Sequence, residues 1–552
     1  MLGYVNRILS KAHDTARFFL VRIFPDRNRI PAECSFAKSI SSLSSRRSGF
    51  PPSLAEALLS PSLIPSMNQR ITLAPGDGIG PEITVAVRSI LDAAGCPIDY
   101  DEVEIGEKAY LAGHSSGIAP EAWEVLRRNP VLLKGPITTP QGSGYKSLNV
   151  TLRKTLGLFA NVRPCRTYHP HVATQHPGMD VVVVRENEED LYAGIEHRQT
   201  VDTFQCLKLV SIPGTERIVR YAFEYAKANG RRKVTCLVKD NIMKLTDGLF
   251  AETFRRMGAE YPELEQEVQI IDIGTARVAT RPERYDVIVT LNLYGDIISD
   301  VTAELTGSVG LAGSANIGER ISMFEAIHGS APDIAGRDIA NPTALLQSAV
   351  MMLVHLGLAE QASAIQNALL RTIEDGFHTA DIHRPGSDSQ LVGTRAFAEA
   401  VVERLGQRPV ALPVAEFPNA PAQPLPYRRP EVKRELCGVD FFVCAADSAP
   451  DELAARLQKA AEGRMRLKLV TNRGVKVWPE GFPETFCTDH WRCRFVNPAA
   501  DTTSPEPSYP PVEATLVPEL LAALLDAGIE VVKSENLYLF DGQRGFSLGQ
   551  GE

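Results

Sequence analysis

Two aspartates four residues apart, Asp296 and Asp300, end the segment Asn292-Leu-Tyr-Gly-Asp-Ile-Ile-Ser-Asp, directly after a short apolar run. On a helix start, residues at that spacing share a face. Two hard oxygen ligands placed so suit Mg²⁺ or Mn²⁺; a capping aspartate followed by a first-turn aspartate fits the same spacing. A second set is Ser147, Asn149 and Arg153, within about two helical turns of one another, with Arg163 and Arg185 downstream. Hydroxyl, amide and guanidinium groups together bind carboxylates, because the arginine fork matches two carboxylate oxygens. Taken singly, each arginine reads as well as a solvated surface group. A third segment, Glu325-Ala-Ile-His-Gly-Ser-Ala-Pro-Asp-Ile-Ala-Gly, runs on to Ala340-Asn-Pro-Thr. A loop rich in Gly, Ser and Pro that leads into a helix is a candidate nucleotide loop. A fourth, Pro75-Gly-Asp-Gly-Ile-Gly-Pro-Glu82, has proline where a dinucleotide fingerprint needs its third glycine, so a tight strand-to-helix turn explains it better.

These residues need elements to hold them. Apolar, β-branched runs at 181–184, 234–238 and 287–291 read as buried strands. Amphipathic helical patterns lie between and after them, at 82–94, 215–228, 245–257, 341–355 and 362–375. Strands alternating with helices predict a three-layer α/β unit from Met67 to about Leu405. Seven prolines between 407 and 430 mark a linker that cannot be a regular element. Beyond it, strands at 438–443, 467–471, 475–478, 491–496 and 529–540, with helices at 451–462 and 515–526, suggest two helices on one face of a small mixed sheet, a ferredoxin-like module. Residues 498–511 read as a flexible, Pro-rich insertion.

At 552 residues the chain exceeds one ordinary domain. Lysines and arginines number 58 against 67 acids, a net charge of −9, which disfavours a dedicated nucleic-acid binder. Nine scattered cysteines with no C-x-x-C argue for a reducing compartment and against a zinc knuckle. No stretch is apolar enough for a membrane span. Residues 1–66 are rich in Arg and Ser and read either as surplus before a start at Met67, with a cytoplasmic protein, or as a transit peptide to the mitochondrial matrix.

The four motifs, in this order, resemble those of the β-decarboxylating dehydrogenases that act on isocitrate, isopropylmalate and homoisocitrate. The resemblance covers roughly Met67 to Leu405, and Ser147-Leu-Asn149 is similar to the isocitrate pattern. The unit after the linker resembles the extra C-terminal domain of a longer bacterial subgroup. The resemblance implies an isocitrate/isopropylmalate dehydrogenase-like α/β fold with two interwoven lobes, a large one at about 67–158 and 307–406 and a small one with a clasp at about 159–306. A linker at 407–432 and an α+β ferredoxin-like domain at 433–552 follow. It implies oxidative decarboxylation of isocitrate to 2-oxoglutarate in a homodimer or larger homo-oligomer with shared sites. Ser147, Asn149, Arg153, Arg163, Arg185 and Asn241 would bind substrate. Tyr192 and Lys239 would be catalytic, and Asp272, Asp296 and Asp300 would hold the metal, with Lys239 and Asp272 reaching a neighbouring subunit's site. Thr138, Glu325, His328, Gly329, Ser330, Ala331, Pro332, Asp333, Ile334 and Asn341 would form the nicotinamide cofactor site. Members that use NADP usually carry lysine and tyrosine where this chain has Asp333 and Ile334. A carboxylate there can accept from a ribose diol and repels a phosphate, so the expected cofactor is NAD. The C-terminal domain is expected either to join subunits or to sense an effector.

Overall fold

The computed structural model describes residues 68–138, 147–417, 429–501 and 507–549. The segment 1–66, the middle of the proline linker and residues 502–506 lie outside the described residues.

Besides a small parallel pair, Phe377–His378 with Gln390–Leu391, twelve strands build the described part of the first unit and its clasp. They are β1 Gln69–Ala74, β2 Ile98–Glu102, β3 Val131–Lys134, β4 Ala160–Arg166, β5 Asp180–Glu186, β6 Glu196–Arg198, β7 Phe204–Cys206, β8 Lys233–Val238, β9 Glu265–Ile270, β10 Val287–Thr290, β11 Gly313–Ile317 and β12 Ser322–Ala326. Ten of them form one sheet in the order β2-β1-β3-β12-β11-β4-β5-β10-β8-β9. β2, β1, β3 and β12 pair in parallel, as do β5, β10, β8 and β9. β11 and β4 join the two halves by antiparallel pairing. The chain leaves the first half after β3 and returns to it only at β11 and β12, so the two halves are interwoven.

Alternation along each strand sorts its side chains onto opposite faces. Val182 and Val184 pack with Phe223, Phe250 and Leu346 on one face. Val181 and Val183 pack with Val278, Ile298 and Ala303 on the other. Helix layers therefore cover both faces, and the strands are apolar on both sides, as the sequence patterns predict. The predicted helices appear as Gly80–Ala93, Ile212–Ala228, Thr246–Gly258, Thr343–His355 and Ala359–Glu374.

The glycines of the Pro75–Glu82 turn serve packing. A Cβ on Gly78 would stand 1.9 Å from the Ser330 carbonyl oxygen, and one on Gly135 would stand 1.9 Å from that of Pro75. Ile79 donates its N–H to that Ser330 oxygen at 2.9 Å. The close approach is of backbone to backbone, and it seats the Gly/Ser/Pro-rich loop on the start of the first helix.

The C-terminal unit has strands Arg434–Cys444, Arg466–Asn472, Val475–Trp478, His490–Val496, Glu530–Phe540 and Gln543–Arg544, with helices Pro450–Ala461 and Leu516–Asp526. Every pairing in this six-stranded sheet is antiparallel among the described residues, which corrects the expected mixed sheet. Each helix crossover brings the chain back beside a strand of opposite direction. The first, second, fourth and fifth strands follow the ferredoxin-like order, with an extra hairpin strand at each edge. Val439, Phe441 and Val443 face Leu453, Leu457, Leu520 and Leu524 of the two helices. On the opposite face Asp440 accepts from Arg492 Nε at 2.7 Å and from Arg494 Nε at 2.8 Å.

The insertion at 498–511 is pinned at its described ends rather than free. Arg466 donates to the Ala500 carbonyl at 2.7 Å, Asn497 to that of Pro511 at 2.7 Å, and Asp501 bridges Ser508. The C-terminal unit meets the β6–β7 clasp through Asp489, which accepts from Thr200 Oγ1 at 2.5 Å and from the Val201 amide at 3.1 Å. Lys533 Nζ donates to Gln205 Oε1 at 2.9 Å beside this contact.

Candidate active site

The two aspartates occupy one face of the helix Asn292–Leu305, which begins straight after β10. Arg185, at the end of β5, is 1 % exposed. Its Nε and Nη2 donate to Asn292 Oδ1 at 3.1 and 2.7 Å, and its Nη1 donates to Asp296 Oδ1. Gly295 makes room for it, since a Cβ there would lie 2.5 Å from Arg185 Cγ. Arg163, on β4, donates to Asn161 Oδ1 and to Ser299 Oγ, both at 2.6 Å, and lies 3.3 Å from Asp300. Burial pushes the Arg185 guanidinium down to about 10, still cationic at neutral pH. Burial pushes Asp296 up, but Arg185 and Arg163 outweigh it and hold its carboxyl below the usual range. Asp300, also lifted by burial, is only partly offset by Arg163 and stays raised.

Tyr192 sits in a short turn, Leu191–Ala193, after β5. Its hydroxyl donates to Asp296 Oδ2, and the Arg185 guanidinium lies 4.9 Å over its ring. Burial, then the Asp296 charge, raises the phenol, so its proton is held at neutral pH.

Arg153, on the helix Leu148–Thr155, donates to Glu325 Oε1 at 2.8 Å. Glu325 also accepts from Asn316 Nδ2 at 2.9 Å and pairs with Lys134 at 2.8 Å, with Lys134 fully buried. Burial raises the Glu325 carboxyl, but Lys134 and Arg153 together hold it well below the carboxylate range. Arg153 Nε and Asn149 Oδ1 are buried without partners among the described residues. A ligand that brings both an acceptor and a donor would satisfy them. Ser147 stands at the N-cap position of this helix and is half-buried.

The structure does not bring all candidates together. Lys239 Nζ donates to Asp272 Oδ2 at 2.6 Å, on a surface where Asp272 is exposed. Among the described residues no three His, Cys, Asp or Glu side chains form a metal-sized cluster. Asp296 and Asp300 therefore stand together without Asp272. Asn241 is exposed beside Lys239. Ile242, Leu245, Ile273 and Ile297 are exposed apolar residues on these same segments.

The cofactor candidates from His328 to Asn341 lie on one loop, which Thr138 meets from the segment after β3. Thr138 donates its N–H to Asp77 at 2.9 Å, and its hydroxyl lies 2.9 Å from Ser330 Oγ. Ala331 has φ +38°, the left-handed region; Gly329, Pro332 and Asp333 are exposed and Ile334 is half-buried. His328 Nε2 is buried with no partner among the described residues. Asn341 donates to Asp381 Oδ2 at 3.0 Å and accepts from the Thr343 amide at 2.9 Å, bracing the start of the following helix.

Sequence reasoning missed Lys134, Asn161, Asn292, Ser299 and Asn316. Lys134 carried a signal: it closes the apolar run Val131-Leu-Leu, where a lysine is out of place. Asn161 carried a weak one, since it stands two residues before Arg163 on the same strand face; Asn316 carried none, because only strand pairing makes it a neighbour of Asn161 and Glu325.

The chain matches the isocitrate/isopropylmalate dehydrogenase family over residues 70–401 and the C-terminal domain of bacterial isocitrate dehydrogenase over 434–552. It is 53% identical over 487 residues to "Isocitrate dehydrogenase [NADP]" of Rickettsia felis, covering 87% of this chain and 99% of that protein. It is 43% identical over 498 residues to the protein of the same name from Thermus thermophilus, covering 87% and 96%. A crystal structure of a Thermus thermophilus protein, TT0538, superposes with a TM-score of 0.80 at 42% identity, covering 89% of this chain and 97% of that one.

These names overturn the expectation of NAD. The physical reason lies in how much weight one carboxylate can bear. Asp333 is exposed and engages no other group among the described residues, and in water two unit charges about 4 Å apart interact by only ~1 kcal/mol. Two exposed arginines stand close by: Arg337 on the same loop, and Arg395, whose amide donates to the loop's Asp338 at 2.9 Å. With its two-half sheet, its arginine–aspartate site and these matches, the chain belongs to the isocitrate/isopropylmalate dehydrogenase family, with a bacterial-type C-terminal domain.

Proposed function

We propose that this protein catalyses the oxidative decarboxylation of isocitrate to 2-oxoglutarate and CO₂, with NADP⁺ as hydride acceptor. The single observation that carries the reading is the buried arginine set, Arg153, Arg163 and Arg185, facing two carboxylates and a protonated tyrosine. Three guanidiniums suit a tricarboxylate, and Ser147 and Asn149 stand on the same helix for its remaining carboxylate. Asp296 and Asp300 suit Mg²⁺ or Mn²⁺, since Mg²⁺ is commonly held by one or two carboxylates and waters. A bound divalent cation there supplies positive charge that acidifies a substrate hydroxyl.

The chain's own groups do the rest. Asp296, held ionised by Arg185, accepts a hydrogen bond from the Tyr192 hydroxyl and so fixes that oxygen beside the arginine set. Tyr192 Oη then gives its proton to the substrate carbon that has lost CO₂. The Lys239 amine takes the proton from the substrate hydroxyl. Lys239 and Asp272 sit apart from Asp296 in one chain, so the site is completed by the partner subunit's Lys239 and Asp272. The exposed Ile242, Leu245 and Ile273 near them in sequence, and Ile297 next to Asp296, support such an interface. Arg337 and Arg395 are assigned to the 2′-phosphate of NADP⁺, and the His328–Asn341 loop to its ribose and pyrophosphate. The proposed setting is the cytoplasm.

A substrate panel tests this. With Mg²⁺ and NADP⁺, isocitrate should be turned over with kcat/KM at least a hundredfold above isopropylmalate, homoisocitrate and tartrate. A preference for any of the other three would overturn the substrate assignment.

A further inference from the structure

A cavity of about 1040 Å³ lies on the face of the sheet opposite the arginine cluster. Strand alternation places it there. On β4, Asn161 and Arg163 face the candidate site, whereas Val162 and Pro164 line the cavity. On β11, Asn316 faces Glu325, whereas Ala315 and Ile317 line the cavity; on β12, Phe324 lines it and Glu325 does not. One layer of sheet separates the two, at the strands that join the two halves.

The far wall is built rather than left open. Helices Ile212–Ala228 and Thr343–His355 contribute Tyr221, Tyr225 and Met351. Residues 414–417 close one side. That segment is tied down: Glu374 accepts from the amides of Val410 and Ala411 at 2.7 Å, and Asn367 exchanges hydrogen bonds of 3.0 and 2.8 Å with Ala415.

Two observations give the ligand's chemistry. Gln366 lines the cavity and is 8 % exposed, yet its Oε1 has no hydrogen-bond partner among the described residues. A buried acceptor left unmade is costly, and a ligand N–H would satisfy it. The walls are aromatic, with Tyr168, Tyr221, Tyr225, Phe324 and His355 all lining it, which favours a flat ring. The rim argues against a phosphate. Its two arginines, Arg166 and Arg231, both pair with Asp180, at 4.0 and 2.8 Å, and Glu319 and Glu416 add further negative charge. A single ring would underfill a space at the upper end of small-molecule pockets.

We propose that this cavity is a second ligand site for a neutral heteroaromatic molecule of nucleoside size, which donates an N–H to Gln366 Oε1. Its occupancy acts on the candidate site through β4, β11 and β12, whose opposite faces hold Arg163, Asn316 and Glu325.

Adenosine serves as the probe, with calorimetry on the full chain, alone and with saturating NADP⁺. One adenosine should bind per chain in both conditions. Gln366→Leu should weaken binding at least tenfold, and Met351→Trp, which fills the cavity, should remove it, with kcat of both variants unchanged in the absence of adenosine. Bound adenosine should shift the isocitrate KM of the parent at least twofold and leave that of Met351→Trp alone. Absence of binding at millimolar adenosine, displacement by NADP⁺, or equal binding by both variants would overturn the site. An unmoved KM would overturn its coupling to substrate. The calorimetry does not depend on which substrate the protein uses, so failure of the proposed reaction and failure of this site are separable.

Discussion

Glu325→Gln is the perturbation whose cost the structure defines best. Lys134 is fully buried on β3, and Glu325 is its register partner on β12, with Nζ and Oε2 2.8 Å apart. Burial pushes the Lys134 amine down and the Glu325 charge pulls it back up. Removing that charge leaves a buried ammonium unpaired, which costs roughly 3–5 kcal/mol. An independent ceiling agrees: discharging a lysine of ordinary pKa near 10.4 at pH 7 costs about 5 kcal/mol. At roughly 2 °C per kcal/mol for a large unit, Tm should fall by about 6–10 °C. The deficit should shrink as pH rises toward 10, where the unfolded lysine is neutral as well. In the parent, the depressed Glu325 contributes stability above about pH 4.5 that is lost as pH falls through its folded value. Lys134→Met combined with Glu325→Gln should recover part of the Tm, because the fully buried ammonium is gone and only Arg153, at 9 % exposure, keeps a charge without its carboxylate. The isocitrate KM should stay raised in both variants, since Arg153 has lost its anchor in each. Differential scanning calorimetry and steady-state kinetics read the two effects separately. A single variant within 1 °C of the parent, or a double variant that restores KM, would refute the reasoning.

Other outcomes follow from the same geometry. Tyr192→Phe should lower kcat by roughly 10²–10⁴-fold with little change in Tm, the range for losing a positioned proton donor. Tyr192→Phe and Lys239→Met chains, each inactive, should regain about a quarter of parent activity when co-expressed, the statistical share of sites built from intact residues in a dimer; no recovery would place both groups in one chain's site. Glu186 is buried, and burial lifts its carboxyl to about 8. Its folded value lies above the unfolded one, so stability present below about pH 4.5 is lost as pH rises toward 8. The Tm of Glu186→Gln should accordingly gain on the parent's across that window, and parallel curves would contradict the assignment. Asp489→Ala removes the acceptor of Thr200 and Val201 and should speed proteolysis of the β6–β7 clasp.

Periodicity made the architecture legible. Runs such as Val181-Val-Val-Val appear as strands buried on both faces, and the four ordered motifs sit where strands end and helices begin. Spacing also placed Asp296 and Asp300 on one helix face. What spacing could not show is what a strand's neighbours contribute. Arg185 meets Asn292 across 107 residues of chain, and the Lys134–Glu325 pair exists only because β3 and β12 lie side by side. Strand direction in the C-terminal sheet was hidden for the same reason, since crossover geometry is not written in hydropathy. The cofactor expectation failed differently. It rested on Asp333 and Ile334 and took no account of Arg337, four residues after Asp333 in the same loop, or of Arg395, which the fold brings against the loop's Asp338.

Product stoichiometry tests the central claim most directly. Purified protein with isocitrate, Mg²⁺ and NADP⁺ should yield one NADPH, one CO₂ and one 2-oxoglutarate per turnover, followed together by absorbance, gas release and chromatography. Reduction of NADP⁺ without CO₂, or no reduction of NADP⁺ at all, would contradict it.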